Sequence, residues 1–298
     1  MERRSVDLDG PVQYVDFGGT GRPIVLVHGL GGSHANWLSV APRLARHGRV
    51  VAIDLSGHGR TRTLGRTAKV GANRRLIGRF LAEVAREPAI LVGNSMGGYL
   101  SIAEAAAEPD KVAGLVLVDP AVPMASGGGF DAGMIAFFAG VLLPGVGWGV
   151  MQRRKHRGPE KNVRDTMAVC CVDPSRVDPA VVAAHIALAE ERRAFGDEVG
   201  RSFLEAVRSL TAVLVRRQKY YAMVATVRAP ALMVHGDRDR LVRLEAARAV
   251  AALRPDWRLE VFDGVGHTPQ LEAPDRFLSV VVPWLTALGG GRADAATR

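Results

Sequence analysis

Three residues whose side chains could together carry out acyl transfer follow strand-like segments of the chain, in the order Ser95, Asp239 and His267. Ser95 stands in the segment GNSMG at 93–97, between an apolar run and the start of a helical pattern. A G-x-S-x-G turn is strained at the serine, so its neighbours must be small, and it exposes the hydroxyl at the carboxyl end of a sheet. The pattern therefore predicts Ser95 as a nucleophile.

A serine nucleophile needs a base, and the base needs a carboxylate that orients it. His267 lies in GVGHTP at 264–269, directly after the last predicted strand, and Asp239 lies in HGDRD at 235–239, directly after the preceding one. Both loops fall at the carboxyl edge of a parallel sheet, so we expect Asp239 to orient His267 as the general base. Asp237, which we expect to shape the turn, and Asp119, at the end of an earlier strand, are the rival acids.

Acyl transfer also needs hydrogen-bond donors for the oxygen that becomes negative. We predict one donor at the backbone N–H of Met96, because the helix that begins there directs its N–H groups towards negative charge. We predict the second at the N–H of Leu30, in the loop HGLGG at 28–32, whose glycines let the backbone approach a substrate closely. We expect the His28 side chain to orient this loop and Asp54 to brace loop amides.

These residues require a sheet that brings the carboxyl ends of several strands to one edge. Short apolar runs alternate with amphipathic segments, which is typical of an α/β fold: a mostly parallel sheet with helices on both faces. The predicted strands are 12–17, 23–28, 49–54, 89–94, 112–119, 231–236 and 258–262, and the predicted core helices are 40–46, 72–86, 96–107, 244–253 and 276–288.

The alternation stops between about residues 122 and 227, where the signals are helical, as at 181–195 and 202–215. We therefore predict a helical cap insertion over 122–227 and an α/β core over 1–121 and 228–298.

One segment of the predicted cap, 132–151, carries no formal charge and precedes a basic run at 153–157. It is long enough to suggest a transmembrane span, but Pro144 and several glycines interrupt it. A cap helix over the active site is the favoured interpretation, and peripheral contact of the cap with membrane lipid is the alternative. An apolar cap would favour an apolar acyl group in the substrate.

Composition argues against several other classes of protein. The net charge is +9, yet no helix carries a basic stripe interleaved with aromatic residues, so no nucleic-acid partner is expected. The eight histidines lack metal-binding spacing, and no nucleotide-binding glycine motif is present, so neither a metal nor a cofactor is predicted. The adjacent Cys170 and Cys171 and the lack of a signal-peptide pattern predict a cytoplasmic protein. The oligomeric state stays open.

The assembled motifs resemble those of the α/β-hydrolase superfamily. The matching segments are 28–32, 54–59, 93–98, 236–239 and 266–269, in the order of that family, and the resemblance covers about 12–288 apart from the cap. It implies the α/β-hydrolase fold, a triad of Ser95, His267 and Asp239, and an oxyanion hole at Leu30 and Met96.

Within the superfamily, the chain is similar to carboxylesterases and lipase-like hydrolases, which implies a small-molecule ester substrate with an apolar acyl group. The segment GNSMGG at 93–98 also resembles the turn of meta-cleavage-product hydrolases, which cleave C–C bonds. Those enzymes usually carry Trp after the catalytic His, where this chain has Thr268, and a different oxyanion loop. C–C hydrolysis therefore stays open as an alternative, as does a ligand receptor that keeps the hydrolase scaffold without turnover.

Overall fold

Eight strands form one sheet in a computed structural model that describes residues 1–123, 140–143 and 145–290. The strand order is β1-β2-β4-β3-β5-β6-β7-β8. The β1–β2 and β2–β4 pairs are antiparallel, and every pair from β4 to β8 is parallel. The strands are β1 (Glu2–Asp7), β2 (Pro11–Gly18), β3 (Pro23–Val27), β4 (Arg49–Ile53), β5 (Ala89–Asn94), β6 (Val112–Val118), β7 (Ala231–Gly236) and β8 (Arg258–Phe262).

Helices connect the parallel strands and continue between β6 and β7. They are α1 (Ala41–Leu44), α2 (Val70–Phe80), α3 (Met96–Ala107), α4 (Val146–Arg157), α5 (Pro159–Cys170), α6 (Pro179–Glu191), α7 (Glu198–Leu214), α8 (Arg217–Thr226), α9 (Leu244–Leu253), α10 (Pro269–Glu272) and α11 (Pro274–Gly290).

The central strands are buried on both faces, and their alternating side chains enter two separate hydrophobic clusters. In β3, Ile24 and Leu26 join a cluster with Phe277 of α11, whereas Val25 and Val27 join a second cluster with Leu100 of α3. Because successive side chains of a strand point to opposite faces, helices must cover both sides of this sheet. The predicted fold class, the α/β-hydrolase fold, is confirmed.

The predicted strands match the observed ones to within one residue at each end, but two features differ from the expectation. The polar segment that forms β1 was not predicted as a separate strand, because it is an exposed edge strand without an apolar run. The predicted helix 72–86 begins earlier, at Val70, and its last turn, Leu81–Ala85, is a π-helix.

Among the described residues between β6 and β7, every regular element is helical. Of the predicted apolar segment 132–151, residues 132–139 and 144 lie outside the described part of the chain. Within the described part, Val141 and Met151 form a buried cluster with Leu204 and Val207 of α7. No helix in the described residues has the length and apolar character needed to cross a membrane. The boundaries of the predicted cap stay a prediction.

Candidate active site

The turn between β5 and α3 holds Ser95 in a strained backbone conformation. Ser95 has φ 55° and ψ −118°, a region that residues with a Cβ rarely adopt. Its N–H donates to the carbonyl of Val118 (3.0 Å), and its own carbonyl accepts from Ala121 (2.8 Å), so neighbouring β6 fixes the turn. A Cβ on Gly97 would lie 2.1 Å from the carbonyl oxygen of Val27, so only glycine permits this close packing on β3. The structure thus places Ser95 at the carboxyl edge of the sheet, half-buried.

At the same edge, the loops after β7 and β8 bring Asp239 and His267 together. The Nδ1–H of His267 donates to Oδ2 of Asp239 at 2.7 Å, and both side chains are buried. Oδ1 of Asp239 accepts from the N–H groups of Leu241 (2.7 Å) and Val242 (3.0 Å). Burial acts to raise the pKa of Asp239, but the His267 and His235 rings and the N–H of Val242 together outweigh burial and leave that pKa below its ordinary value. A carboxylate in this position fixes the imidazole tautomer that can accept a proton at Nε2.

The rival acid Asp119 lies next to Asp239 and accepts a hydrogen bond from the backbone rather than from His267. Its Oδ1 accepts from the N–H of Gly236 (3.0 Å), and its backbone is left-handed, with φ 42°. Burial and the adjacent Asp239 carboxylate raise the pKa of Asp119 well above its ordinary value. The other rival, Asp237, accepts from the N–H of Gly264 (2.7 Å) and so braces the turn, as expected.

Asp119, His235 and Asp239 also form a group of metal-ligand types whose ligand atoms lie within 4.8 Å of one another. Both Asp239 oxygens already accept hydrogen bonds, and Nε2 of His235 donates to the carbonyl of Val242 at 2.9 Å. These bonds already engage Asp239 and one ring nitrogen of His235, which disfavours a metal site.

Asn94, which precedes Ser95, joins the candidate nucleophile to the candidate base. Its Nδ2 donates to the carbonyl of His267 at 3.0 Å and to that of Val118 at 3.1 Å. One buried amide therefore connects the ends of β5 and β6 to the loop after β8. Sequence reasoning gave Asn94 no such role, because its partner is 173 residues away.

The loop at 28–32 packs directly on the Ser95 turn. A Cβ on Gly29 would lie 3.1 Å from Cβ of Ser95, so the glycine permits this close approach. The Leu30 N–H donates to no acceptor among the described residues. Met96 is the first residue of α3, so its N–H lacks an intrahelical acceptor. Both predicted oxyanion donors are thus available on the two segments that meet at Ser95.

The residues predicted to brace loops, His28 and Asp54, hold the loop at 28–32 and the loop after β4. His28 donates from Nδ1 to the carbonyl of Gly29 (2.7 Å) and accepts at Nε2 from the N–H of Leu55 (3.1 Å). Burial lowers its pKa to about 4, so the ring is neutral and serves as a structural link. Asp54 accepts from the N–H groups of His34 (2.7 Å) and Arg60 (2.8 Å), which fixes the next loop.

Apolar side chains from the described part of the region between β6 and β7 pack on the loop at 28–32. Leu30 packs against the cluster of Val141, Met151, Leu204 and Val207, and a Cβ on Gly31 would meet the Phe203 ring at 3.2 Å. Arg192 of the same region contacts the loop after β4, where its Nη2 donates to the carbonyl of Gly57 (3.0 Å). The Nε of Arg192 is buried and has no partner among the described residues. Nothing in the sequence separates Arg192 from the many other arginines.

Comparison with known proteins identifies the family of this chain. The profile of the Alpha/beta hydrolase family matches residues 24–280. A 2-hydroxy-6-oxo-2,4-heptadienoate hydrolase of Pseudomonas putida is 32% identical over 282 residues, covering 90% of this chain and 91% of the relative. A 2-hydroxy-6-oxononadienedioate/2-hydroxy-6-oxononatrienedioate hydrolase of Dechloromonas aromatica is 27% identical, covering 94% and 92%.

Solved structures with the same fold include enzymes of more than one kind. A thermophilic esterase from Thermogutta terrifontis has a TM-score of 0.69 and 23% identity, covering 97% of this chain and 99% of the other. A meta-cleavage product hydrolase from Pseudomonas fluorescens has a TM-score of 0.71 and 24% identity, covering 95% and 97%. The chain belongs to the alpha/beta hydrolase family and is a hydrolase.

Proposed function

We propose that this protein hydrolyses carboxylic esters with an apolar acyl group, through an acyl-enzyme on Ser95. The observation that carries the serine-hydrolase mechanism is the 2.7 Å hydrogen bond between His267 and Asp239, at the same sheet edge as the strained Ser95 turn. Hydrogen bonding from Nδ1 to Asp239 leaves Nε2 of His267 as the proton acceptor.

The reaction proceeds in two steps at the substrate carbonyl. Oγ of Ser95 attacks the carbonyl carbon while Nε2 of His267 takes its proton, and the N–H groups of Leu30 and Met96 stabilise the oxyanion. The imidazolium then protonates the leaving alcohol as the C–O bond breaks. Water, deprotonated by His267, hydrolyses the acyl-enzyme and releases the acid.

The preference for an apolar acyl group rests on the apolar cluster that contacts Leu30. Val141, Met151, Leu204 and Val207 are buried, and the partly buried side chains packed on them, Leu30 and Phe203 among them, offer apolar surface beside the oxyanion loop that an acyl chain could cover. A preference for acetyl esters over medium-chain esters would contradict this part of the proposal.

A second candidate is hydrolysis of a C–C bond in a vinylogous diketone, by the same triad. The names of the relatives favour it, and so does Arg192, because a buried guanidinium with an unpartnered Nε could bind the carboxylate of a dienoate. Thr268 in the place of Trp argues against it. Peripheral contact of the cap with lipid is a further proposal, supported by exposed Leu143 and Val146 at the start of α4 and by the basic last turn of the same helix.

The test compares a series of p-nitrophenyl esters with a coloured meta-cleavage dienoate, using the wild type, Ser95→Ala and Arg192→Ala. An esterase turns over medium-chain esters fastest and tolerates Arg192→Ala, whereas a C–C hydrolase consumes the dienoate and loses that activity in Arg192→Ala. A receptor without turnover would bind ligand and release no product from either substrate.

A further inference from the structure

The loop after β8 that carries His267, the base loop, is held by the core and also by the helical region between β6 and β7, the insertion. The N–H of His267 donates to the carbonyl of Cys170, the last residue of α5, at 2.6 Å. A Cβ on Gly266 would lie 2.4 Å from the same carbonyl oxygen. The Sγ of Cys171 lies 3.3 Å from Oγ1 of Thr268. The insertion therefore contacts the residues on both sides of the candidate base.

A single buried carboxylate, Glu272, bonds to both partners of this contact. Its Oε2 accepts from the N–H of Gly266 and its Oε1 accepts from the N–H of Asp173, each at 2.8 Å. The Glu272 side chain is fully buried. Its two acceptor atoms thus join the base loop to the segment that follows α5.

Arg176 of the insertion makes a further contact with the base loop, at the protein surface. Its Nη1 donates to the carbonyl of Gly264 in the base loop at 3.0 Å and lies 3.7 Å from Oε1 of Glu272. The Arg176 side chain is half-exposed, at 49%. A cation here balances the charge of a carboxylate that would otherwise be costly to bury.

We propose that Glu272 is a positioning residue that couples docking of the helical insertion to the alignment of His267. The proposal rests on the proposed role of His267 as the general base. A movement of the 170–173 segment would pull on Gly266 and His267 together, because Glu272 and the Cys170 carbonyl tie both residues to it. Catalysis would then require the insertion to be seated.

A carboxylate is needed at position 272 because the N–H groups of Gly266 and Asp173 each need an acceptor. Glutamine has one carbonyl oxygen, and its NH₂ group would face the second N–H donor. Glu272→Gln therefore breaks one side of the bridge and keeps nearly the same volume. A displacement of a catalytic group by about 1 Å can lower the rate on the order of 100-fold.

The control is Glu198→Gln, because Glu198 also joins the insertion to a core loop. It accepts from the N–H of Thr63 at 2.7 Å and pairs with Arg62 at 2.8 Å, in the loop after β4. Both variants lose a comparable bond, but only Glu272→Gln alters the loop that carries His267.

The experiment measures kcat and KM per site titrated with a fluorophosphonate, well below the Tm of each variant, together with the low-field proton resonance of His267 Nδ1–H. We expect Glu272→Gln to lower kcat about 10- to 100-fold with KM nearly unchanged, and to shift or broaden the resonance. We expect Glu198→Gln to keep the kcat and the His267 resonance of the wild type. Equal kcat and an unchanged resonance in the two variants would overturn the proposal.

Arg176→Ala keeps the proposal testable should Glu272→Gln fail to fold, because Arg176 is half-exposed. We expect kcat to fall several-fold, with the same change in the His267 resonance, and an unaltered kcat and resonance in Arg176→Ala would overturn the proposal. Full activity in Ser95→Ala would instead refute the proposed function, so the two failures are distinguishable.

Discussion

Substitution of Asp239 by asparagine tests the role of the His267–Asp239 hydrogen bond. Oδ1 of Asp239 accepts from the N–H groups of Leu241 and Val242, so the amide oxygen of asparagine will take that position. The NH₂ group then faces Nδ1 of His267, where Oδ2 accepts at 2.7 Å in the wild type. A donor in that place drives the imidazole proton onto Nε2, and His267 can no longer accept the proton of Ser95.

We therefore expect kcat to fall about 10⁴-fold in Asp239→Asn, which corresponds to about 5 kcal/mol of transition-state stabilisation. KM changes little, because Asp239 is buried behind His267. The assay is steady-state hydrolysis of the best p-nitrophenyl ester at neutral pH, with folding checked by circular dichroism.

The matched control is Asp237→Asn, two residues earlier in the same loop. Asp237 accepts one N–H, from Gly264, and an amide oxygen can replace that acceptor. We expect its kcat within about threefold of the wild type. If Asp239→Asn also stayed within threefold, the assignment of Asp239 as the triad acid would be refuted, and Asp119 would be the next candidate.

Three further predictions follow from particular contacts. Gly29→Ala should lower kcat about 10- to 100-fold, because its Cβ would lie 3.1 Å from that of Ser95 and displace the oxyanion loop, whereas the helical Gly71→Ala should leave kcat unchanged. The pKa of Asp119 is raised in the folded state, so the folded protein keeps a proton that the unfolded chain releases, and the free energy of unfolding falls as pH rises above 3.8. We therefore expect Asp119→Asn to gain stability relative to the wild type, by up to about 1.4 kcal/mol per pH unit. Urea unfolding of both proteins at pH 5 and pH 8 measures this difference. Vesicles of phosphatidylglycerol should sediment the wild type more than Val146→Ser, and equal sedimentation would contradict lipid contact through that exposed residue.

Much of the site could be predicted because its residues stand directly after strands. Asp239 and His267 lie 28 residues apart, yet parallel β7 and β8 bring the loops after them to one sheet edge. A local pattern of apolar runs and glycines identifies such strand ends, and the parallel arrangement of the strands then places them at one edge of the sheet.

The residues that sequence reasoning missed are those whose partners lie far away in the chain. Glu272 accepts from Asp173, 99 residues earlier, and nothing near Glu272 in the sequence distinguishes it from a helix-end glutamate. The carbonyl that holds His267 belongs to Cys170, and a backbone acceptor leaves no mark on residue type. Contacts of this kind depend on how the insertion packs on the core, which periodicity does not specify.

The proposal that Ser95 is the nucleophile is tested most directly by ester turnover in the wild type and Ser95→Ala, combined with fluorophosphonate labelling and peptide mass spectrometry. We predict that the probe labels wild-type protein at Ser95, and that Ser95→Ala loses labelling and at least about 10³-fold in kcat while keeping its fold. Undiminished turnover in Ser95→Ala, or labelling at another residue, would contradict the proposal.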